Sequence, residues 1–349
     1  MKVKLNMASE FELINTLFQP LSKGLSADEV GIGDDGAVLN VPENHQLVVV
    51  TDTLVCGVHF PEEASAYEIA WKAVAVNLSD LAAMGAKPGF FSLALTIPNN
   101  DQAWLADFSK GLADISAQYS VPLIGGDTTK GPLTITVTAQ GFVERGRAVR
   151  RSTARAGDLI CVTNTIGDGA LGLHVVQDKL PGLVQDRLSQ AQTSHLLQAL
   201  NHPQPQLAIG EKLSLFANSA IDISDGLLAD LNHILEESNK MLSNHEHRLT
   251  AKVDLDRIPL SSAAQLYVEQ TADWKTIVAG GDDYQLCFTL APGQLVLAQE
   301  MAKKTGVEIT EIGEIIYCQA KKMHDSQSIV LSRNGQIYNT EDFKGYLHF

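Results

Sequence analysis

Apolar runs rich in β-branched residues, bounded by Gly, Pro or Asp, alternate along the chain with stretches of helical periodicity. The pattern predicts strands over residues 47–51 (LVVVT), 90–97 (FFSLALTI) and 133–143 (LTITVTAQGFV). Between them it predicts a helix over 66–84, apolar on nearly every side and therefore sandwiched, and an amphipathic helix over 102–119 that ends before Pro122. A polar, arginine-rich stretch, 145–158 (RGRAVRRSTARAGD), interrupts the pattern and marks a boundary. Beyond it, strands are expected over 159–163, 220–224, 249–255 and 285–290. Helices are expected near 169–177, 206–216, 227–237 and 293–305, with a polar surface loop over 239–248. Strands and helices mix without strict βαβ alternation. That argues for two α/β domains of similar size, 1–149 and 150–349, with mixed sheets rather than a barrel or a Rossmann fold.

Length agrees, since 349 residues suit two domains. The charge narrows the partners. With 41 acidic against 26 basic residues the net charge is −15, a poor match for nucleic acid or an anionic membrane. Polyphosphate ligands would need cations between them and the protein. The four cysteines, Cys56, Cys161, Cys287 and Cys318, form no C-x-x-C pair, so neither a zinc site nor a disulfide framework is expected. The N-terminus lacks the apolar core of a signal peptide, and no run approaches a membrane span. A soluble, cytoplasmic protein is the expectation.

Residues 31–38 (GIGDDGAV) match G-x-G-x-x-G, but no convincing strand precedes them. Asp34 and Asp35 fill the variable positions and would repel a bare pyrophosphate. The carboxylates are more informative. Asp35 is bracketed by glycines, Asp52 closes the LVVVT run, and Asp127 follows VPLIGG. Asp222 and Asp225 flank Ser224 at a strand-to-helix junction, and Asp282 and Asp283 follow Gly280-Gly281. Each alone reads as a turn or cap residue. Asp80 is harder to explain that way, because a charge inside so apolar a helix is costly. Together, Asp oxygens with Ser and Thr hydroxyls suit a hard cation, Mg²⁺ above all. His59 near a turn reads as a cap or a contact residue, and the pair His245 and His247 as solvated loop.

Six strings, GIGDDGAVL, TDTLVCGVHF, KAVAVNLSDLAAMGAKP, LIGGDTTKGP, AIDISDGLLADL and GGDDYQLCF, occur in this order, and the chain ends in FKGYLHF. In these it closely resembles the thiamine-monophosphate kinases of the PurM-like superfamily. The resemblance implies two PurM-like domains of α+β type, each a mixed sheet with helices on one face, and a homodimer formed through the N-terminal domains. It implies ATP- and Mg²⁺-dependent phosphorylation of thiamine phosphate to thiamine diphosphate by direct in-line transfer, the last step of that cofactor's biosynthesis. Implied metal ligands are Asp35, Thr51, Asp52, Asp80, Asp127, Asp222 and Asp225. Implied ATP contacts are Gly126, Asp127, Arg151 and Ser224, with Arg151 as a transition-state charge and no other catalytic side chain. Implied thiamine-phosphate contacts are His59, Asp282 and Phe343. Three positions depart from the family's habit: Val50 stands where Ser is common, Asp282 where Glu is usual, and Phe343 where Trp is frequent. The competing readings are another ATP-dependent member of the superfamily and a non-catalytic polyphosphate-binding module.

Overall fold

The computed structural model describes residues 14–22, 24–243, 247–319, 328–338 and 343. They fall into two compact units that divide between Gly146 and Arg147, with Ala82–Ala86 belonging to the second. The division lies inside the arginine-rich stretch.

In the first unit, β1 (His45–Val55), β2 (Lys87–Ile97), β3 (Leu123–Lys130) and β4 (Thr134–Glu144) form a sheet in the order β1-β4-β2-β3. The β1–β4 and β4–β2 pairs are antiparallel and β2–β3 is parallel, so the sheet is mixed. The parallel pair requires a crossover, supplied by α2 (Gln102–Tyr119). Asp101 caps its start by accepting from the N–H of Ala103 and Trp104, and Ser120, left-handed at φ 55, ends it before Pro122. α1 (Ala66–Ala83) is buried on almost every side, as its apolar composition predicted. It meets α2 closely: a Cβ on Gly111 would lie 2.5 Å from the Tyr67 carbonyl oxygen. On β4, alternate residues Ile135, Val137, Ala139 and Val143 are buried, while Thr134, Thr136 and Thr138 face the other way and are only half-buried. This period of two leaves one face of the sheet threonine-rich.

The second unit holds a seven-stranded mixed sheet, β11-β10-β7-β9-β5-β8-β6. Its strands are β5 (Leu159–Thr163), β6 (Ala217–Asp222), β7 (His247–Asp254), β8 (Leu286–Leu290), β9 (Ile309–Gln319), β10 (Ile329–Arg333) and β11 (Gln336–Tyr338). Only β7–β10 is parallel. Five longer helices accompany it: α3 (Asp168–Val176), α4 (Gln190–Asn201), α5 (Leu227–Lys240), α6 (Ser262–Thr271) and α7 (Leu295–Thr305). Ile221, Ile223, Leu227, Leu231 and Ile234 carry the core from the end of β6 into α5.

The helix expected over 206–216 is instead two short turns, Leu207–Gly210 and Leu213–Leu215. Gly210 in its middle has low helix propensity, and the lost length breaks the run. Of the histidine pair, His247 opens β7, exposed and edge-on to Tyr317, whereas His245 lies outside the described residues. Among the described residues, no helix is long and apolar enough to cross a membrane.

Candidate active site

In the first unit, Asp52 sits within β1, not at its end as the apolar run suggested, because the strand continues through Val55 in register with β4. β1 is an edge strand, and the Asp52 N–H donates to a side chain, Asn77 Oδ1 on α1, at 3.1 Å. Asn77 is fully buried, and its Nδ2 donates to the Ala73 carbonyl at 3.0 Å. A buried amide used at both ends holds helix to strand. Asp80, half-buried, follows Asn77 by three positions and shares its helix face. One side chain therefore ties the backbone of Asp52 to the helix that carries Asp80. Thr51 points to the other side of the sheet, its Oγ1 3.0 Å from Thr138 Oγ1. Toward an ion beside Asp52 it can offer only its carbonyl oxygen.

Gly126 and Asp127 lie on β3, the opposite edge. The register runs Asp52↔Val137, Val137↔Leu93 and Leu93↔Gly126, one row across the whole sheet. Three strand spacings make about 14 Å. Mg²⁺–O bonds are about 2.1 Å, so carboxylates on the two edge strands suit separate ions. Gly126 is fixed by packing, since a Cβ there would stand 1.8 Å from the Leu93 carbonyl oxygen. Asp35 is exposed in a loop closed by the Val30–Val38 bridge, and its N–H donates to Asp34 Oδ1 at 3.0 Å. His59 Nδ1 accepts the Val55 N–H at 3.0 Å in the turn after β1. That bond places the ring proton on Nε2.

In the second unit, three loops meet backbone to backbone. A Cβ on Gly281 would fall 2.2 Å from the Ser224 carbonyl oxygen, and one on Gly169 would fall 2.2 Å from that of Asp282. The Asp282 N–H donates to the Ser224 carbonyl at 2.9 Å, and the Tyr284 N–H to that of Ile223 at 2.8 Å. Asp282 and Tyr284 are left-handed, at φ 69 and 49, and the Tyr284 hydroxyl donates to Asp282 Oδ1 at 3.0 Å. Asp222, Ser224, Asp225 and Asp282 are thus brought into one knot. Two carboxylates that the sequence reading left without a role hold it. Asp230, on the first turn of α5, accepts the N–H groups of Ser224 and Asp225, both at 3.0 Å. Asp283 accepts from Gly167 at 3.0 and 2.8 Å and from Gly169 at 3.1 Å, at the start of α3. Burial pushes both carboxyls well above the usual range, and their backbone donors oppose the shift. For Asp230, the charges of Asp222 and Asp225 push in the same direction as burial.

Arg151 is not part of the knot. Its carbonyl accepts from Ser238 Oγ at 3.0 Å, near the C-terminal end of α5. Ser238 is about 18 Å along the helix from Gly226, at 1.5 Å per residue. Of the C-terminal string only Phe343 is described, and it packs, partly buried, against the core of the second unit.

The first residue of α3, Asp168, is a hub that the sequence did not announce. It accepts from Thr165 Oγ1 at 2.7 Å and Ser261 Oγ at 2.5 Å, and pairs with His195 Nε2 at 2.9 Å. The bond to Asp168 raises the His195 pKa above its ordinary 6.5, against partial desolvation. A raised folded pKa stabilises fully below the unfolded value and loses that contribution as pH rises through the folded value. His195→Gln is therefore expected to lower stability at pH 5.5 relative to stability at pH 8. The change should be small, because the ring is half exposed. Urea midpoints of both proteins at the two pH values check it, and an unchanged difference would contradict it.

The oxygen donors, without thiolate or imidazole, fit a hard divalent cation, and the mutual repulsion of Asp222, Asp225 and Asp230 fits one that neutralises them. Among the described residues, no three His, Cys, Asp or Glu side chains form a cage for one ion. The ligands implied by the sequence are divided between the two units.

Residues 33–143 match the AIR synthase related protein, N-terminal domain. The chain is 42% identical to thiamine-monophosphate kinase of Escherichia coli strain K12 over 340 residues, 97% of this chain and 98% of the relative. Its fold matches the crystal structure of thiamine-monophosphate kinase from Stenotrophomonas maltophilia, with a TM-score of 0.79 and 40% identity over 95% of this chain and 98% of that one. It also matches AaThiL complexed with AMPPCP and TMP, with a TM-score of 0.71 and 26% identity over 100% of both chains. The chain belongs to the thiamine-monophosphate kinase family.

Proposed function

We propose that this protein transfers the γ-phosphoryl group of ATP directly to thiamine phosphate, giving thiamine diphosphate and ADP, in the cytoplasm and with Mg²⁺. The observation that carries this reading is the 42% identity extending over 97% of the chain to a thiamine-monophosphate kinase. The site chemistry supports it. The acceptor is a phosphate monoester with a second pKa of about 6, so an ionised oxygen is present at pH 7. No side chain has to remove a proton, and positioning and charge stabilisation are the enzyme's main tasks. Mg²⁺ held by Asp35, Thr51, Asp52, Asp80, Asp127, Asp222 and Asp225 would supply charge neutralisation between the two anions. Gly126, Asp127 and Ser224 would hold ATP, and Arg151 would bring a fixed planar cation to the phosphates. Asp282 suits the positive thiazolium or the pyrimidine amine, and the Phe343 ring suits the same cation. ADP release measured against a panel of acceptors tests the reading. Release that requires thiamine phosphate is expected. Release with another acceptor would favour a different superfamily enzyme, and ATP binding with no release would favour a binding module.

His59 is assigned to thiamine phosphate. His59→Asn is expected to raise the KM for thiamine phosphate about 10-fold, equivalent to about 1.4 kcal/mol, and to change kcat little. Loss of kcat with an unchanged KM would instead place His59 on the transition state.

A homodimer through the first unit completes the proposal. Leu47 and Val49 on β1 are 48% and 54% exposed, on the same side as Thr51 and Thr53 and opposite buried Val48 and Leu54. An apolar and threonine-rich sheet face suits a second copy of itself. Val49→Lys is expected to convert a dimer into a monomer in sedimentation equilibrium. A wild-type monomer at micromolar concentration would overturn the assignment.

A further inference from the structure

The loop that follows Asp222 and carries Ser224 and Asp225 leads into α5 without a conventional helix cap. The residue at the cap of α5 is Gly226, at φ 112, with no side chain to accept a bond. A side chain could not be added there, because a Cβ would stand 2.8 Å from the Ala279 carbonyl carbon. The bonds are made from inside the helix instead. Asp230 reaches back past the cap, and one oxygen, Oδ2, accepts both the Ser224 and Asp225 N–H groups at 3.0 Å. The carbonyl of Ser224 is held from the other side by the Asp282 N–H at 2.9 Å. Ser224 is therefore gripped at both backbone groups, between Asp230 and the substrate-side acid.

Asp230 is 2% exposed and shares its surroundings with Asp222 and Asp225. A carboxylate buried beside two like charges is expensive. An apolar residue would suit the neighbouring core of Leu227, Leu231 and Ile234 better. The two backbone bonds are what the carboxylate provides in return. The geometry points to Asp230 as a positioning residue for phosphoryl transfer, fixing the Ser224–Asp225 backbone so that the Ser224 hydroxyl and the Asp225 carboxylate stay aimed at nucleotide and cation. This inference rests on the phosphotransfer reading and adds to it a residue that acts through the Ser224–Asp225 backbone.

The test uses three variants of the full chain. Asp230→Ala and Asp230→Leu remove the acceptor, the latter while filling the space. Asp230→Asn removes the charge but keeps an oxygen able to accept both bonds. Misplacing a group by about 1 Å costs up to about 100-fold in rate. Ala and Leu are expected to lower kcat by about 10- to 100-fold and to shift the Mg²⁺ dependence to higher concentration. Asn is expected to remain within about 3-fold of wild type, because the retained oxygen avoids the misplacement that costs rate. Amide exchange supplies a readout independent of activity. The N–H groups of Ser224 and Asp225 should exchange faster in the Ala and Leu variants, while the β5 and β8 amides stay protected. If Ala and Leu keep wild-type kcat and Mg²⁺ dependence per folded molecule, or if Asn is as impaired as Ala, the inference is overturned. If one removal variant does not fold, the other and Asn still decide. A wild-type protein without thiamine-phosphate-dependent ADP release would instead refute the functional reading itself, which separates the two failures.

Discussion

Asp52→Asn, Asp80→Asn and Asp225→Asn are each expected to reduce kcat at saturating ATP and Mg²⁺ by at least about 100-fold, the scale set by removing one electrostatic group from a transition state. The substitutions keep the side-chain size and remove the negative charge. Asp52 and Asp80 stand on a strand and a helix joined through buried Asn77, so neither can drift to compensate for the other. Asp225 stands in a loop pinned by Asp230. Folding should survive, because none of the three is wholly buried. Near-normal kcat in all three variants, measured on folded protein, would refute a multi-cation site.

Gly281→Ala is expected to cost about 3 kcal/mol, the upper part of the usual range for overpacking. The added Cβ would meet the Ser224 carbonyl oxygen at 2.2 Å, and that oxygen already accepts the Asp282 N–H. Backbone on both sides cannot swing aside as a flexible side chain could. At about 2–4 °C per kcal/mol for a unit of this size, the melting temperature of the second unit should fall by about 6–12 °C. Activity should fall further than stability, because the strain falls on Ser224 and Asp282 together. Calorimetry and kcat/KM on the same sample check both parts. An unshifted melting temperature with full activity would show that the loops are not in contact as described.

The elements legible in the sequence were those whose period is strong and local. α1, α2 and α5, and the strands β2, β4, β5 and β8, follow directly from apolar spacing. α4 carries little periodic signal because QAQTSHLLQALN is mostly polar, although Ser189 and Gln192 form a capping box at its start. The apolar run alone predicts a short β1, because Thr51-Asp-Thr53 looks like a strand end, whereas β4 pairs with it residue for residue through Val55. Candidate site residues were legible as residue types beside Gly and Ser, but not as an arrangement. That Thr51 turns away from Asp52 follows only from the pleat. Asn77 and Asp230 were invisible for a different reason. Each accepts from backbone N–H groups, in one case 25 positions away, and a buried amide or carboxylate carries no local signature of its partner. Arg151, singled out by resemblance, has its backbone at the far end of α5 from Ser224, a separation that the sequence order conceals.

The central claim is transfer of the γ-phosphoryl group from ATP to thiamine phosphate rather than to water, and isotope transfer tests it most directly. ATP carrying ¹⁸O at the three terminal γ-oxygens is incubated with the protein, Mg²⁺ and unlabelled thiamine phosphate, and the products are weighed by mass spectrometry. Attack by a phosphate oxygen of the acceptor on the γ-phosphorus forms the new bridge from the acceptor's oxygen and releases ADP. The account therefore expects thiamine diphosphate with all three labelled oxygens, in equal amount to the ADP formed. Labelled inorganic phosphate in place of thiamine diphosphate, or ADP formed at the same rate without thiamine phosphate, would contradict it.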